Sequence, residues 1–328
     1  MQTNRRTFNL AALFAPAVLL AGTSSVFGQT PIAPGPIRFI VPYSPGSGSD
    51  TIGRTAGLKL GERLDRPTVV DNRPGASGML GTEAVVRAPA NGSTLLITAS
   101  TIVINRALYP KASFDPLKDL TPIVSAGSTQ FLLVASTQSG FKTMADMLQA
   151  VRKSPGKINY GSPGVGTVHH LAMELFKIRT KTSVYHVPYS GAGAAVTGLL
   201  GGQVEVMFLP LTFAMPHVKS GKLIALAIGS DKRHPSAPDV PTLTQAGVKD
   251  TNVSSWYGIY GPPGMAPDLV AKLNTEFREI LSTDDMRQKF FAQGIDIDSS
   301  TPAELKTLAE KDAARWADVI KQQRITAE

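Results

Sequence analysis

Ile37-Arg38-Phe39-Ile40-Val41-Pro42-Tyr43-Ser44-Pro45-Gly46-Ser47-Gly48-Ser49-Asp50-Thr51-Ile52 is the stretch around which the rest of the chain is organised. Its first five residues are a short apolar run with the length and composition of a buried strand. Beyond Asp50, the residues Ile52, Ala56, Leu60 and Leu64 recur every four positions, which predicts an amphipathic helix over 51–64 with Asp50 as its N-cap. A loop of small residues joins the two. Strand, small-residue loop and helix start together aim unsatisfied amides and a positive dipole end at one point, which can receive an anion. Arg54, one turn into the helix, is expected to pair with Asp50.

Toward the N-terminus, Arg5-Arg6 precedes an uncharged stretch whose apolar heart runs from Leu10 to Ala21. It is too short to span a bilayer and has the form of an export signal, with cleavage expected after Gly28. Asn4-Arg5-Arg6-Thr7-Phe8 fits a twin-arginine leader, and the residues after it fit Sec export equally. The 328-residue chain carries a formal charge of +8, which falls by two when Arg5 and Arg6 leave. That excess favours anionic ligands. The basic residues are scattered and match no nucleic-acid motif, so no nucleic-acid partner is expected. No cysteine is present, which excludes disulfides, thiolate metal sites and a lipoprotein anchor.

Toward the C-terminus, strands over 37–41, 68–70 and 95–99 alternate with helices over 51–64 and 79–87. This alternation predicts a parallel sheet that binds ligands at its strand ends, where Ser100 also lies. A second series starts at Phe131–Ala135. Thr143 caps a helix to Arg152, and a strand over 157–160 leads to Gly161-Ser162-Pro163-Gly164-Val165-Gly166-Thr167. Val168, Leu171, Ala172, Leu175 and Phe176 then mark a second helix start after a small-residue loop. Strands over 184–187, 204–209 and 224–228 follow. From Trp256 the pattern becomes helical over 268–281, 284–293 and 302–323, expected to cover the first sheet. The organisation read from this is an α/β chain: a signal peptide over 1–28, one lobe over 29–129 plus 253–328, and a second over 130–252, with a cleft between the lobes.

Catalytic chemistry finds little footing. Neither Gly46-Ser47-Gly48 nor Gly164-Val165-Gly166 completes a dinucleotide fingerprint, and no phosphate-binding Gly-Lys-Ser/Thr occurs. No nucleophile elbow is present, and no spacing pairs a serine with one of the five histidines. His170 and Glu174 share a helix face beside His169, but two ligands on one helix do not make a metal site. Asp284-Asp285 reads as a helix start, and Asp296 with Asp298 as a surface turn. No cofactor and no metal are expected.

Taken in order, several motifs resemble those of the substrate-binding receptors of tripartite tricarboxylate transporters, the Bug (Bordetella uptake gene) family. They are Pro42–Asp50, Asp71-Asn72-Arg73-Pro74-Gly75-Ala76-Ser77-Gly78, Asp115–Pro122, Gly161–Leu171, Val187–Gly191 with Leu200–Gln203, and Asp239-Val240-Pro241-Thr242. The resemblance covers essentially the whole chain after the leader. It implies a type II periplasmic-binding-protein-like fold, two Rossmann-like lobes closing on a small carboxylate, and no catalysis. It implies a ligand set of Tyr43, Ser44, Pro45, Gly46, Ser47, Gly48, Ser49 and Asp50 in the first loop. Ser162, Gly164, Val165, Gly166, Thr167 and His169 would serve in the second, with Tyr189 nearby. Ser47 replaces a usual glycine, Thr167 a usual serine, Glu205 a usual Asp, and Leu209 stands where Asp is frequent, so Leu209 is expected at the pocket. The function so implied is a monomeric periplasmic receptor that hands a dicarboxylate, tricarboxylate or aromatic acid to permease subunits. A sensor module for a signalling receptor and, less well supported, a small-ester hydrolase are the alternatives.

Overall fold

A computed structural model describes residues 32–327; the leader expected over 1–28 lies outside them. Ile37–Val41 forms β1, whose Ile37, Phe39, Ile40 and Val41 are buried. It lies parallel between β2 (Thr68–Asn72) and β3 (Thr94–Ala99). The crossovers are α1 (Gly48–Leu64) and α2 (Met79–Val86). Ile52, Ala56 and Leu60 of α1 are fully buried in one core with Phe39 and Ile97, as their four-residue spacing requires. After β3 comes α3 (Thr101–Leu108), which the sequence reading left unassigned.

β4 (Thr121–Ser136) is sixteen residues long and belongs to both lobes. Its first part pairs with β9 (Ser254–Gly261) and β10 (Asp296–Ser299). Its last part pairs with β7 (Val206–Pro210) and β8 (Leu223–Ile228). Between these lie α4 (Met144–Lys153), β5 (Asn159–Ser162), α5 (Val168–Thr180), β6 (Tyr185–Pro188), α6 (Ala192–Leu200) and α7 (Leu211–Lys219). β5 runs parallel to β6 and β7. Thr143 caps α4, as read from the sequence, and the structure shows that it does so within a capping box closed by Asp146.

Two expectations are corrected here. The sheets are mixed, not parallel throughout: β9 runs antiparallel to β3 and β4, and β4 antiparallel to β7 and β8. The reason is connectivity, since the strand arriving from the other lobe enters each sheet against the direction of its neighbours. Asp296 and Asp298 lie on a short strand at the edge of β4 and not in a surface turn.

α8 (Pro267–Ser282) and α9 (Asp284–Ala292) cover the first sheet. Phe277 meets Phe39 edge-on with ring centroids 6.4 Å apart, and Leu269, Leu273 and Phe290 join that core. Each such side chain, fully removed from water, contributes about 1.5–3 kcal/mol. α10 (Pro302–Gln323) does not keep to one lobe. Leu305 and Ala309 pack with Trp256 and Tyr260, whereas Trp316, Val319 and Ile320 join the core of Phe176 and Phe208 in the second lobe.

Candidate ligand-binding site

The loop after β1 and the loop after β5 are built on one plan. In the first, Ser47 is the N-cap of α1 and its Oγ accepts from the Asp50 amide at 3.3 Å, while Asp50 Oδ2 accepts from the Gly46 amide at 2.9 Å. In the second, Thr167 caps α5 and its Oγ1 accepts from the His170 amide at 3.5 Å, while His170 Nδ1 accepts from the Gly166 amide at 3.1 Å. Gly46 and Gly166 both adopt left-handed φ, +83° and +77°, which favours glycine at this point of the turn. Among the described residues, the first two amides of each helix have no hydrogen-bond acceptor: Gly48 and Ser49 in one, Val168 and His169 in the other. No carbonyl lies four residues behind them within the helix. The Ser49 hydroxyl and His169 Nδ1, on the second of those residues, are buried with no hydrogen-bond partner among the described residues.

The N-cap of α1 is thus Ser47 and not Asp50, and the helix begins three residues earlier than its apolar spacing indicates. Gly48 and Ser49 carry no apolar signal, so periodicity alone could not find that first turn. Asp50 sits one turn in and is 3% exposed. Its carboxylate accepts from Arg54 Nε at 3.1 Å and from Asn72 Nδ2 at 3.0 Å, and forms the expected ion pair with Arg54. Burial raises its pKa, but the hydrogen bonds from Arg54, Gly46 and Asn72 outweigh burial and hold it below the usual carboxylate value. At the matching place in α5, burial pushes His170 down to about 4, with Lys177 adding to the effect, so its imidazole is neutral at pH 7. His170 and His186 stack with centroids 4.0 Å apart, and burial holds His186 down at about 3.

Other expected site residues divide. Tyr43 bonds to Thr98 Oγ1 at 3.2 Å, and its backbone carbonyl accepts from Asn72. Ser44 and Pro45 are exposed on the outer bend of the first loop, and Val165 is half-buried on the second. Gly164 is the hub of that second loop: its carbonyl accepts from Ser162 and Thr167, and its amide donates to Ser162 Oγ. Ser162 is fully buried, and its hydroxyl lies 2.7 Å from His186 Nε2. No spacing announced this serine–histidine pair, because β5 and β6 bring it together. It braces the loop. Ser100 is likewise spent inside, bonded to Ser255 Oγ at 2.9 Å. Tyr189 lies against Gly161 and Gly198 and bonds Gln203. Leu209 is 1% exposed, in the core with Leu132, Val134 and Met207. It alternates with neighbours on a strand buried on both faces, so its apolar character serves packing.

Residues the sequence did not nominate complete the region. A Cβ on Gly48 would stand 2.2 Å from the Tyr257 hydroxyl, so the start of α1 rests directly on that phenol. His169 lies edge-on against Phe131 at 5.1 Å, and Leu108 of α3 fills the space where a Gly166 side chain would go. Tyr257 pairs with Gly127 of β4, four residues from Phe131. At about 3.3 Å per residue, the two helix starts therefore approach β4 at points about 13 Å apart. Beside Gly46 and Gly48 opens a cavity of about 270 Å³, closed by Thr51, by Thr212 and Phe213 of α7, and by Ala292, Gln293 and Ile295.

Comparison with known proteins agrees with this architecture. BugT of Bordetella pertussis is 30% identical over 315 residues, which is 95% of this chain and 97% of BugT. A Rhodopseudomonas palustris protein solved with adipate superposes with a TM-score of 0.83 at 29% identity, covering 88% of this chain and 97% of that one. MatC from R. palustris, solved with bound malate, gives 0.79 at 30% identity, covering 87% and 98%. The fold shared with these neighbours is the type II periplasmic binding protein arrangement of two Rossmann-like lobes. A family model described as "Tripartite tricarboxylate transporter family receptor" matches residues 52–325, from the second turn of α1 to just past α10. Both lobes and both helix starts' helices fall within or at the edge of that match, and the chain belongs to the tripartite tricarboxylate transporter receptor family.

Proposed function

We propose that this protein is a periplasmic receptor that captures a small organic carboxylate between its lobes and presents it to the membrane subunits of a tripartite transporter. It is a binding protein and not an enzyme, as its family is one of receptors. The observation that carries the reading is the duplicated helix start. Two helices, each with a side-chain cap on its third residue, begin against neighbouring strands, α1 at Tyr257 of β9 and α5 at Phe131 of β4. Their first amides, backed by the helix dipole, suit a carboxylate and need no cationic side chain. The neighbours solved with adipate and malate support this chemistry. In this reading Gly48, Ser49, Val168 and His169 supply the donors, Gly46, Ser47, Gly166 and Thr167 shape them, and Tyr43 and Tyr257 wall the first pole. The lobes are residues 29–129 plus 253–328 and residues 130–252, joined by β4 and β9, with α10 strapped across both. The leader over 1–28 directs export, and the mature receptor acts as a monomer on its permease.

The test is a melting-temperature panel on mature protein that has been unfolded and refolded to remove bound solute. Ligand that binds only the folded state raises Tm. Organic acids are expected to raise it and their amides to leave it unchanged. A rise with neutral compounds alone would overturn the reading.

A further inference from the structure

The two faces of the crossing strand β4 join the lobes in different ways. Resting on the receptor reading above and its division into lobes, we propose that the lobes turn about the face covered by α10 and part on the opposite face. There His234 of the second lobe, with Asp296 and Phe291 of the first, forms a separable clasp that sets the balance between open and closed forms.

Alternate residues of β4 divide between the faces: Phe131 and Leu133 lie on the α10 side, Leu132 and Val134 on the other. On the α10 side the lobes share one core. Leu108 of α3 and Trp316 of α10, both from first-lobe segments, are buried there with Phe131, Phe176 and Phe208 of the second. Parting them would return large apolar side chains to water, so this face holds together. On the opposite side the cores are separate. That of Phe39 and Phe277 draws on first-lobe residues, and that of Leu132 and Leu211 on second-lobe residues. What meets between them is a small, mostly polar contact. Gly294 lies so close to Thr212 that a Cβ on it would stand 2.9 Å from the Thr212 amide nitrogen. Two residues on, Asp296 meets His234. His234 Nδ1 accepts from the Ser236 amide at 3.1 Å, so the ring proton is on Nε2 and is donated to the Asp296 carboxylate, whose oxygens lie at 3.1 and 3.2 Å. The same ring stacks on Phe291 with centroids 5.7 Å apart. His234 is 6% exposed, but the Asp296 side chain is 40% and Phe291 42% exposed. Both partners of the imidazole already touch water and rehydrate readily, so the contact biases closure without welding it. The cavity beside Gly48 takes its wall from Thr212 on one lobe and from Gln293 and Ile295 on the other. These residues flank the clasp, and parting it uncovers the cavity.

The chain has no cysteine, so two introduced thiols carry spin labels without background. One pair, Lys232→Cys with Gln288→Cys, spans the clasp, and the other, Arg87→Cys with Lys153→Cys, spans the α10 face; all four positions are exposed. Distances are read by double electron–electron resonance on refolded mature protein with no acid added. His234→Ala is expected to raise the ratio of long to short distances at the clasp pair about tenfold, the effect of losing one hydrogen bond to a charged group, and to leave the α10 pair unchanged. Asp296→Ala should do the same. His234→Gln, which still offers an N–H to Asp296, should restore most of the short population. Circular dichroism on each variant establishes that it folds. A clasp-pair distribution unchanged by both alanine variants, or equal lengthening at both pairs, overturns the proposal. With no acid present, the labels report on the clasp alone: its failure leaves the carboxylate reading standing, and a failed Tm panel leaves the clasp standing.

Discussion

The two helix starts, Gly46–Asp50 and Gly166–His170, use the same spacing and the same hydrogen-bond circuit, yet different chemistry closes them. In the first lobe the third helical residue is a buried carboxylate, neutralised by Arg54 and hydrogen-bonded by Asn72. In the second it is a buried neutral imidazole, stacked on His186, which in turn holds Ser162. Opposing an anion with Asp50 beneath the binding amides is tolerable only because Arg54 is bound to it. With His170 no such partner is needed, and the loop is braced by packing and by neutral hydrogen bonds. One task, presenting two free amides, thus has an ionic and a non-ionic solution in one molecule.

Acid separates the two most sharply. Between pH 6.5 and about 4 the unfolded chain protonates its His170 while the folded chain does not, so stability declines as pH falls through that window. At 1.36 kcal/mol per pK unit, this one residue accounts for about 3 kcal/mol. The Asp50 carboxyl contributes in the same sense but lower on the pH scale: its stabilisation is complete above the ordinary value of 3.8 and is lost as pH falls from there through its lowered folded value. Urea melts at pH 6.5, 5 and 4 should therefore lose part of their slope in His170→Asn, with His169 and His186 keeping the remainder, and keep it whole in Asp50→Asn. Equal slopes in both variants would erase the distinction.

Removing the closing residue at neutral pH comes next. Asp50→Ala strands Arg54, Asn72 and the Gly46 amide, and should cost about 2–3 kcal/mol in urea unfolding. Arg54 is half-exposed and rehydrates, which keeps the loss from being larger. In His170→Ala, only the Gly166 amide loses its acceptor, and about 1–2 kcal/mol is expected, mixed with lost stacking. A larger loss at His170 than at Asp50 would show that packing, not charge, dominates at both poles.

The glycines give a smaller contrast. Gly46→Ala meets open space and suffers only the left-handed backbone, about 1 kcal/mol. Gly166→Ala would also drive its Cβ to 2.0 Å from Leu108 Cδ1 and should shift the second loop as well. Ligand affinity should accordingly fall more in the second variant than in the first, read by titration with any acid that binds. Smallest of all, Ser47→Ala and Thr167→Ala should each cost about 1 kcal/mol, because both caps do the same work. A wide gap between that pair would mean the loops are less alike than their hydrogen bonds indicate.

Most elements of the fold could be read from the chain because their signals are local. The four-residue spacing from Ile52 to Leu60 and the capping residue Thr143 are set by neighbours within one turn. What escaped reading depends on contacts distant in sequence. β9 lies antiparallel between β3 and β4, Ser162 meets His186 across two strands, and Tyr257 supports Gly48 from more than two hundred residues away. An apolar residue near a strand end, such as Leu209, reads the same in sequence whether it faces a pocket or a core. Ser49 and Gly48 were recognised as loop but not as helix, since a first turn without side-chain periodicity has nothing to display.

The place of β9 has a consequence for how the chain comes into being. It fills the middle of the first sheet, between β3 and β4, yet it is made only after the whole second lobe. During synthesis the first sheet is therefore a ribbon with a missing centre, whereas the second lobe already holds its own strands β5 to β8 and the end of β4. Pairings this distant in sequence form slowly. The lobe that begins the polypeptide is thus the last to close. Until residue 261 has emerged, the nascent protein remains an open, threadable chain at its front end.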